Sequence, residues 1–208
     1  MPGPSYSYLA LGDSYTIGEA VPFAENFPNQ AVQLLRSRGL DFEAPEILAR
    51  TGWTTDELQF AINHHRFREK YDFTSLLIGV NNQYRGRSTE EYTEQFEALL
   101  GQAIAFAGGD ASHVAVLSIP DWGVTPFNKD RDRAQVGTEI DRYNAINRGV
   151  CEQSGVHYID ITPGTREAAG DPSLLAADGL HPSGHEYKRW AKEVAAFFLS
   201  KIRLNHDR

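Results

Sequence analysis

Cysteine is all but missing. Cys151 is the single one in 208 residues, so no intramolecular disulfide can form. It lies in an apolar helical pattern and reads as a buried small hydrophobe. Long hydrophobic runs are missing as well. No stretch has the length of a membrane span, and Met1-Pro2-Gly3-Pro4-Ser5 lacks the basic start and apolar run of a signal peptide. The expectation is a cytoplasmic protein without an integral membrane segment. Positive charge is in deficit. The formal net charge of -8 argues against nucleic acid and anionic membrane surfaces as main partners; the same balance serves solubility. No repeat, low-complexity tract or linker-like shift in composition divides the chain. It reads as one domain over residues 1–208, long enough for a well-buried core.

What is present is an alternation. Short apolar runs at Ser7–Leu11, Pro45–Ala49, Phe73–Ile78, Val114–Ile119 and Val156–Ile161 suit five parallel strands covered on both faces. Helical patterns run over Pro28–Arg38, Thr55–Phe67, Thr89–Ala107, Thr138–Ser154 and Gly184–Ile202. This βαβα order predicts a three-layer α/β/α sandwich around a parallel sheet. Three helix starts, Thr54 with Glu57, Ser88 with Glu91 and Ser183 with Glu186, fit the capping box, in which a hydroxyl and a carboxylate satisfy free amides reciprocally. In the last segment Tyr187, Trp190, Ala191, Val194, Phe198 and Ile202 recur at helical spacing, a core-facing stripe.

Two short motifs at opposite ends of the chain carry chemistry. Gly12-Asp13-Ser14-Tyr15 directly follows the first strand, and Asp178-Gly179-Leu180-His181-Pro182 directly precedes the last helix. In an open α/β sheet the carboxyl ends of the strands form the binding crevice. A serine hydroxyl is a weak nucleophile until a base takes its proton. Histidine does so near neutral pH, and a carboxylate fixes its tautomer. Ser14, His181 and Asp178 fit those roles, with Gly179 easing a tight turn. Asp13 is the competing acid; its adjacency to Ser14 favours a hydrogen-bonding role on the turn. A tetrahedral intermediate also needs donors for its oxyanion. Thr51-Gly52-Trp53 follows the second strand and Gly79-Val80-Asn81-Asn82 the third, and both offer amides or side chains for that purpose.

Jointly these four places resemble the blocks of the SGNH hydrolase superfamily, the GDSL-type esterases and lipases. Ser14 matches its block I serine, Gly52 its block II glycine, Asn81 its block III asparagine, and Asp178 and His181 its block V Asp-x-x-His. The resemblance implies a flavodoxin-like α/β/α fold and a serine hydrolase that cleaves carboxylic esters of small molecules through an acyl-enzyme, with no cofactor. It also implies three oxyanion donors: the Ser14 amide, the Gly52 amide and the Asn81 side chain. Two positions depart from the family pattern. Tyr15 replaces the common leucine, and Asn82 replaces the common aspartate, exchanging a carboxylate for a neutral group with donors of its own. The modest length leaves little room for a long acyl tunnel, so short acyl groups are favoured.

Other features read as structure. His181 and His185 are four apart, but no partner motif accompanies them and no metal is expected. His64-His65 read as a solvated helix face, and Lys129–Arg133 as an exposed loop leading into a helix. Trp122 either lines the crevice or packs its loop. Two rival functions share the same residues: an acyltransferase using Ser14, and a non-catalytic α/β binding module. An α/β-hydrolase is disfavoured, because no Gly-x-Ser-x-Gly surrounds Ser14.

Overall fold

In the computed structural model, which describes residues 5–206, five strands form one parallel sheet: β1 (Tyr8–Asp13), β2 (Glu46–Arg50), β3 (Phe73–Leu77), β4 (Val114–Leu117) and β5 (His157–Ile159). The reading of Met1–Pro4 lies outside the described residues. The strand order is β2-β1-β3-β4-β5. All six residues of β1 are buried, which is why it reads as an uninterrupted apolar run.

Five long helices cover the sheet: α2 (Phe27–Arg36), α3 (Thr55–His64), α5 (Thr89–Phe106), α6 (Arg133–Ser154) and α8 (Gly184–His206). Helix α2 packs on α8, while α3, α5 and α6 pack in succession on one another. The result is the α/β/α sandwich expected from the alternation. The stripe of α8 is buried from Tyr187 to Ile202, and Phe198 stacks on Phe73 of β3 with centroids 4.2 Å apart. Cys151 is fully buried, and burial pushes its thiol pKa up to about 12. Among the described residues no helix is long and apolar enough to cross a membrane.

Three short helices escaped the sequence reading: α1 (Ser14–Ile17), α4 (Val80–Tyr84) and α7 (Thr162–Arg166). Each is four or five residues long, too short to show a hydrophobic period. Helix α6 begins five residues before the expected Thr138, because Asp132 caps it, accepting from Ala134 N at 2.7 Å. Of the three expected capping boxes only the first is complete, with Glu57 accepting from Thr54 N at 2.9 Å. Ser88 and Ser183 cap as expected, but their glutamates are used elsewhere. Glu91 pairs with Arg87 at 2.9 Å, and the buried Glu186 accepts from Trp190 Nε1 at 2.9 Å.

The order of strands reverses at β1, whose neighbours are β2 and β3. In open α/β sheets the crevice at such a reversal, beyond the carboxyl ends of the strands, is where ligands bind. Gly12, near the end of β1, pairs with Leu77 at the end of β3. The loops bearing Ser14 and Asn81 therefore leave the sheet side by side.

Candidate active site

Ser14 is the first residue of α1, directly off the end of β1. The Asp13 carboxylate caps this helix, accepting from Tyr15 N at 3.0 Å. Gly12 allows the close approach of strand and helix: a Cβ there would collide with Thr16 Oγ1 and the Leu77 carbonyl. Gly18 ends the helix at φ +77°, where its amide bonds the Ser14 carbonyl at 3.1 Å. Asn26 then ties the turn to α2, donating to Ile17 O at 3.0 Å and capping Asn29 N at 2.9 Å.

The Asp178–His181 loop folds onto this serine. Asp178 Oδ1 accepts from the Leu180 and His181 amides, each at 3.0 Å, and Gly179 between them takes φ +66°. The Ala176 amide bonds the His181 carbonyl at 2.8 Å, closing the loop on itself. The other Asp178 oxygen lies 2.6 Å from His181 Nδ1, and His181 Nε2 lies 3.0 Å from Ser14 Oγ. Ser14 and His181 are both buried. The Tyr15 ring packs beside the imidazole, with centroids 4.9 Å apart.

The two acids are in opposite conditions. Partial burial alone would raise the Asp178 pKa, but the hydrogen bonds from the His181 ring and the Leu180 and His181 amides outweigh it, and the carboxyl titrates below its ordinary value. Asp13 is fully buried; desolvation dominates its few hydrogen bonds and raises its pKa to about 7. Its oxygens meet Tyr15 N and Asn81 Nδ2, the latter at 3.4 Å, and the carboxylate on His181 is that of Asp178.

Gly52 and Asn81 flank the end of β1 from either side. Gly52 takes φ +82° in the turn after β2, and Asn81 stands in the first turn of α4, after β3. Asn81 Nδ2 donates to the Trp53 carbonyl at 3.0 Å, so the two places are in direct contact. Asn82 points inward. Its amide oxygen accepts from Thr55 N at 3.1 Å and its nitrogen donates to Thr55 Oγ1 at 2.7 Å. The departure from aspartate is thus absorbed by a buried amide that donates to Thr55 Oγ1 while this hydroxyl donates to Gln95 Oε1; a carboxylate, which has no donor, would instead compete with Gln95 for the hydroxyl proton. Arg85, absent from the sequence reading, donates to the Gly52 carbonyl at 2.6 Å. Its spacing of four from Asn81, one helical turn, was the available signal.

The remaining expectations fall as follows. Trp122 is buried, with its Nε1 donating to Gln83 Oε1 at 2.7 Å, and it lines a small cavity together with Tyr15, Leu180 and Pro182. His64 and His65 are exposed, as is His185. Residues 129–132 form the exposed loop, and Arg133 opens α6.

An α/β/α sheet with a serine, a histidine and an aspartate in hydrogen-bonded sequence at its reversal point is the architecture of a hydrolase. The chain matches the model of the GDSL-like Lipase/Acylhydrolase family over residues 10–189 and belongs to that family. It is a carboxylic ester hydrolase of that family. Solved structures share the fold. TesA superposes with a TM-score of 0.72 at 17% identity, covering 92% of this chain and 97% of its own. Axe2, an acetylxylan esterase from Geobacillus stearothermophilus, does so at 0.68 and 19%, covering 95% of each chain. A member of the lipolytic protein G-D-S-L family from Veillonella parvula gives 0.65 and 15%, covering 94% of this chain and 97% of its own. No curated protein matches the chain by sequence.

Proposed function

We propose that the protein hydrolyses small carboxylic esters with short acyl groups through an acyl-enzyme on Ser14, with His181 as general base and Asp178 as its carboxylate partner. The observation that carries this reading is the continuous line from Asp178 Oδ2 to His181 Nδ1 at 2.6 Å and from His181 Nε2 to Ser14 Oγ at 3.0 Å. An ionised Asp178 only accepts, so Nδ1 carries the ring proton and Nε2 turns its lone pair to the serine hydroxyl.

Ser14 Oγ attacks the ester carbonyl as its proton passes to Nε2. The tetrahedral oxyanion is met by the Ser14 amide, the Gly52 amide and Asn81 Nδ2. As the intermediate collapses, the imidazolium returns the proton to the departing alkoxide and the alcohol leaves. Water then repeats the sequence in reverse on the acyl-Ser14 ester, releasing the carboxylic acid and restoring the serine.

The test is covalent labelling. A fluorophosphonate should attach to the wild-type protein at Ser14, and Ser14→Ala should neither label nor hydrolyse p-nitrophenyl acetate while keeping its fold. Labelling of Ser14→Ala at another serine refutes the assignment. Wild-type protein that fails to label and to turn over esters refutes the reaction.

A further inference from the structure

The turn Thr51-Gly52-Trp53 joins β2 to α3, and its glycine, at φ +82°, has no Cβ to restrict it. An unbraced turn of this kind would let the Gly52 amide swing away from the crevice. Besides the turn's own bond from the Trp53 amide to the Arg50 carbonyl at 3.2 Å, three side-chain contacts brace it. The Thr51 hydroxyl donates to the Glu19 carboxylate. From α4, Asn81 Nδ2 donates to the Trp53 carbonyl at 3.0 Å, and Arg85 Nη2 donates to the Gly52 carbonyl at 2.6 Å. Arg85 Nη1 also lies 3.3 Å from Glu57 Oε2, the same oxygen that accepts from Thr54 N at 2.9 Å. One guanidinium therefore joins the turn, the start of α3 and α4. A planar fork serves two acceptors at once; a lysine ammonium at this place would serve them less well.

We propose that Arg85 is a positioning residue, which fixes the Gly52 turn relative to Asn81 so that both donors already face the site where the oxyanion forms. This inference rests on the assignment of Gly52 and Asn81 as oxyanion donors. Arg85 itself touches no reacting atom. Its effect is preorganisation: donors set before charge develops need no rearrangement in the transition state. The side chains of Arg85 and Glu57 are each 41% exposed, so their pairing adds little to stability and the effect on rate is separable from folding.

The experiment compares Arg85→Ala, Arg85→Lys, Glu57→Gln and Asn81→Ala on p-nitrophenyl acetate, with a thermal midpoint for each. Arg85→Ala should lower kcat by roughly 10- to 100-fold, the scale expected when a reacting geometry is displaced by about an ångström, with KM little changed. Arg85→Lys should recover part of the loss, having one donor for the Gly52 carbonyl. Glu57→Gln should keep most of kcat, since the bond to Gly52 survives. If Arg85→Ala does not fold, Arg85→Lys must still show a deficit in kcat at unchanged KM. Wild-type kcat in Arg85→Ala, or a raised KM with kcat intact, overturns the inference so long as Asn81→Ala is impaired. If Asn81→Ala also keeps wild-type kcat, the assignment of the donors fails and takes the inference with it.

Discussion

Asn81 offers the most direct reading of chemistry at single-residue scale. Its Nδ2 carries two hydrogens; one is committed to the Trp53 carbonyl at 3.0 Å, and the other reaches Asp13 only at 3.4 Å. Under the proposed mechanism, the loosely held hydrogen is the one offered to the oxyanion. Asn81→Ala should lower kcat by about 10²–10³-fold, the cost of one such donor, with a smaller change in KM; steady-state kinetics on a short ester measure both. The two aspartates give a paired test. In Asp178→Asn the new amide can donate to Nδ1 and hold the wrong imidazole tautomer against Ser14, so kcat should fall by on the order of 10⁴. Asp13→Asn keeps an oxygen for Tyr15 N and should cost less. A larger loss in Asp13→Asn would reverse the roles of the two acids.

At the scale of elements, the junctions matter more than the helices and strands they join. Gly12 lets β1 hand directly into α1 against β3, and a Cβ there would meet both Thr16 and the Leu77 carbonyl. Gly12→Ala should destabilise the protein by about 1–3 kcal/mol, the range for overpacking a filled interior, seen as a lower urea midpoint. The junctions were also where the sequence was hardest to read. Strand cores were legible because burial on both faces leaves an unbroken apolar run, as in Tyr8–Leu11. The long helices were legible from caps such as Thr54 and from the stripe of α8. Helices α1, α4 and α7 have no more than five residues each, too few to repeat a hydrophobic period. Of the candidate site, Ser14, Gly52 and Asn81 were legible because motif and predicted strand end coincide, and Asp178 and His181 because their motif stands just before a capped helix. Arg85 was not, because its partner is a backbone carbonyl 33 residues away, and carbonyls leave no trace in a sequence. The fates of Glu91 and Glu186 show the same limit: a glutamate at the right spacing for a cap goes instead to whichever partner the fold brings nearer.

For the whole molecule, the buried Asp13 couples the crevice to folding. Its pKa of about 7 in the folded protein exceeds the ordinary carboxylate value because burial disfavours the charge. Between about pH 4 and 7 the folded state thus holds a proton that the unfolded chain has released. This contribution to stability is full below the unfolded pKa and is lost as pH rises through 7. Asp178, whose pKa is lowered, acts in the opposite sense: its contribution is present above the unfolded value and disappears only in stronger acid. The unfolding free energy should therefore decline from pH 5 to pH 8, by on the order of a few kcal/mol at most from this group, and the urea midpoint with it. Asp13→Asn should flatten that decline. An unchanged slope in the variant would show that Asp13 does not carry it. The bond between His181 and Ser14 spans 167 positions of the chain, and this separation also has a meaning in time. Translation delivers Ser14 early and His181 late. Under the proposed mechanism, a nascent chain on the ribosome holds its serine without the base that would arm it, and esterase activity should begin only when the loop before α8 has emerged and docked. Turnover is accordingly a clock for the closing step of folding, and a chain stalled before Asp178 is safe in the company of any ester.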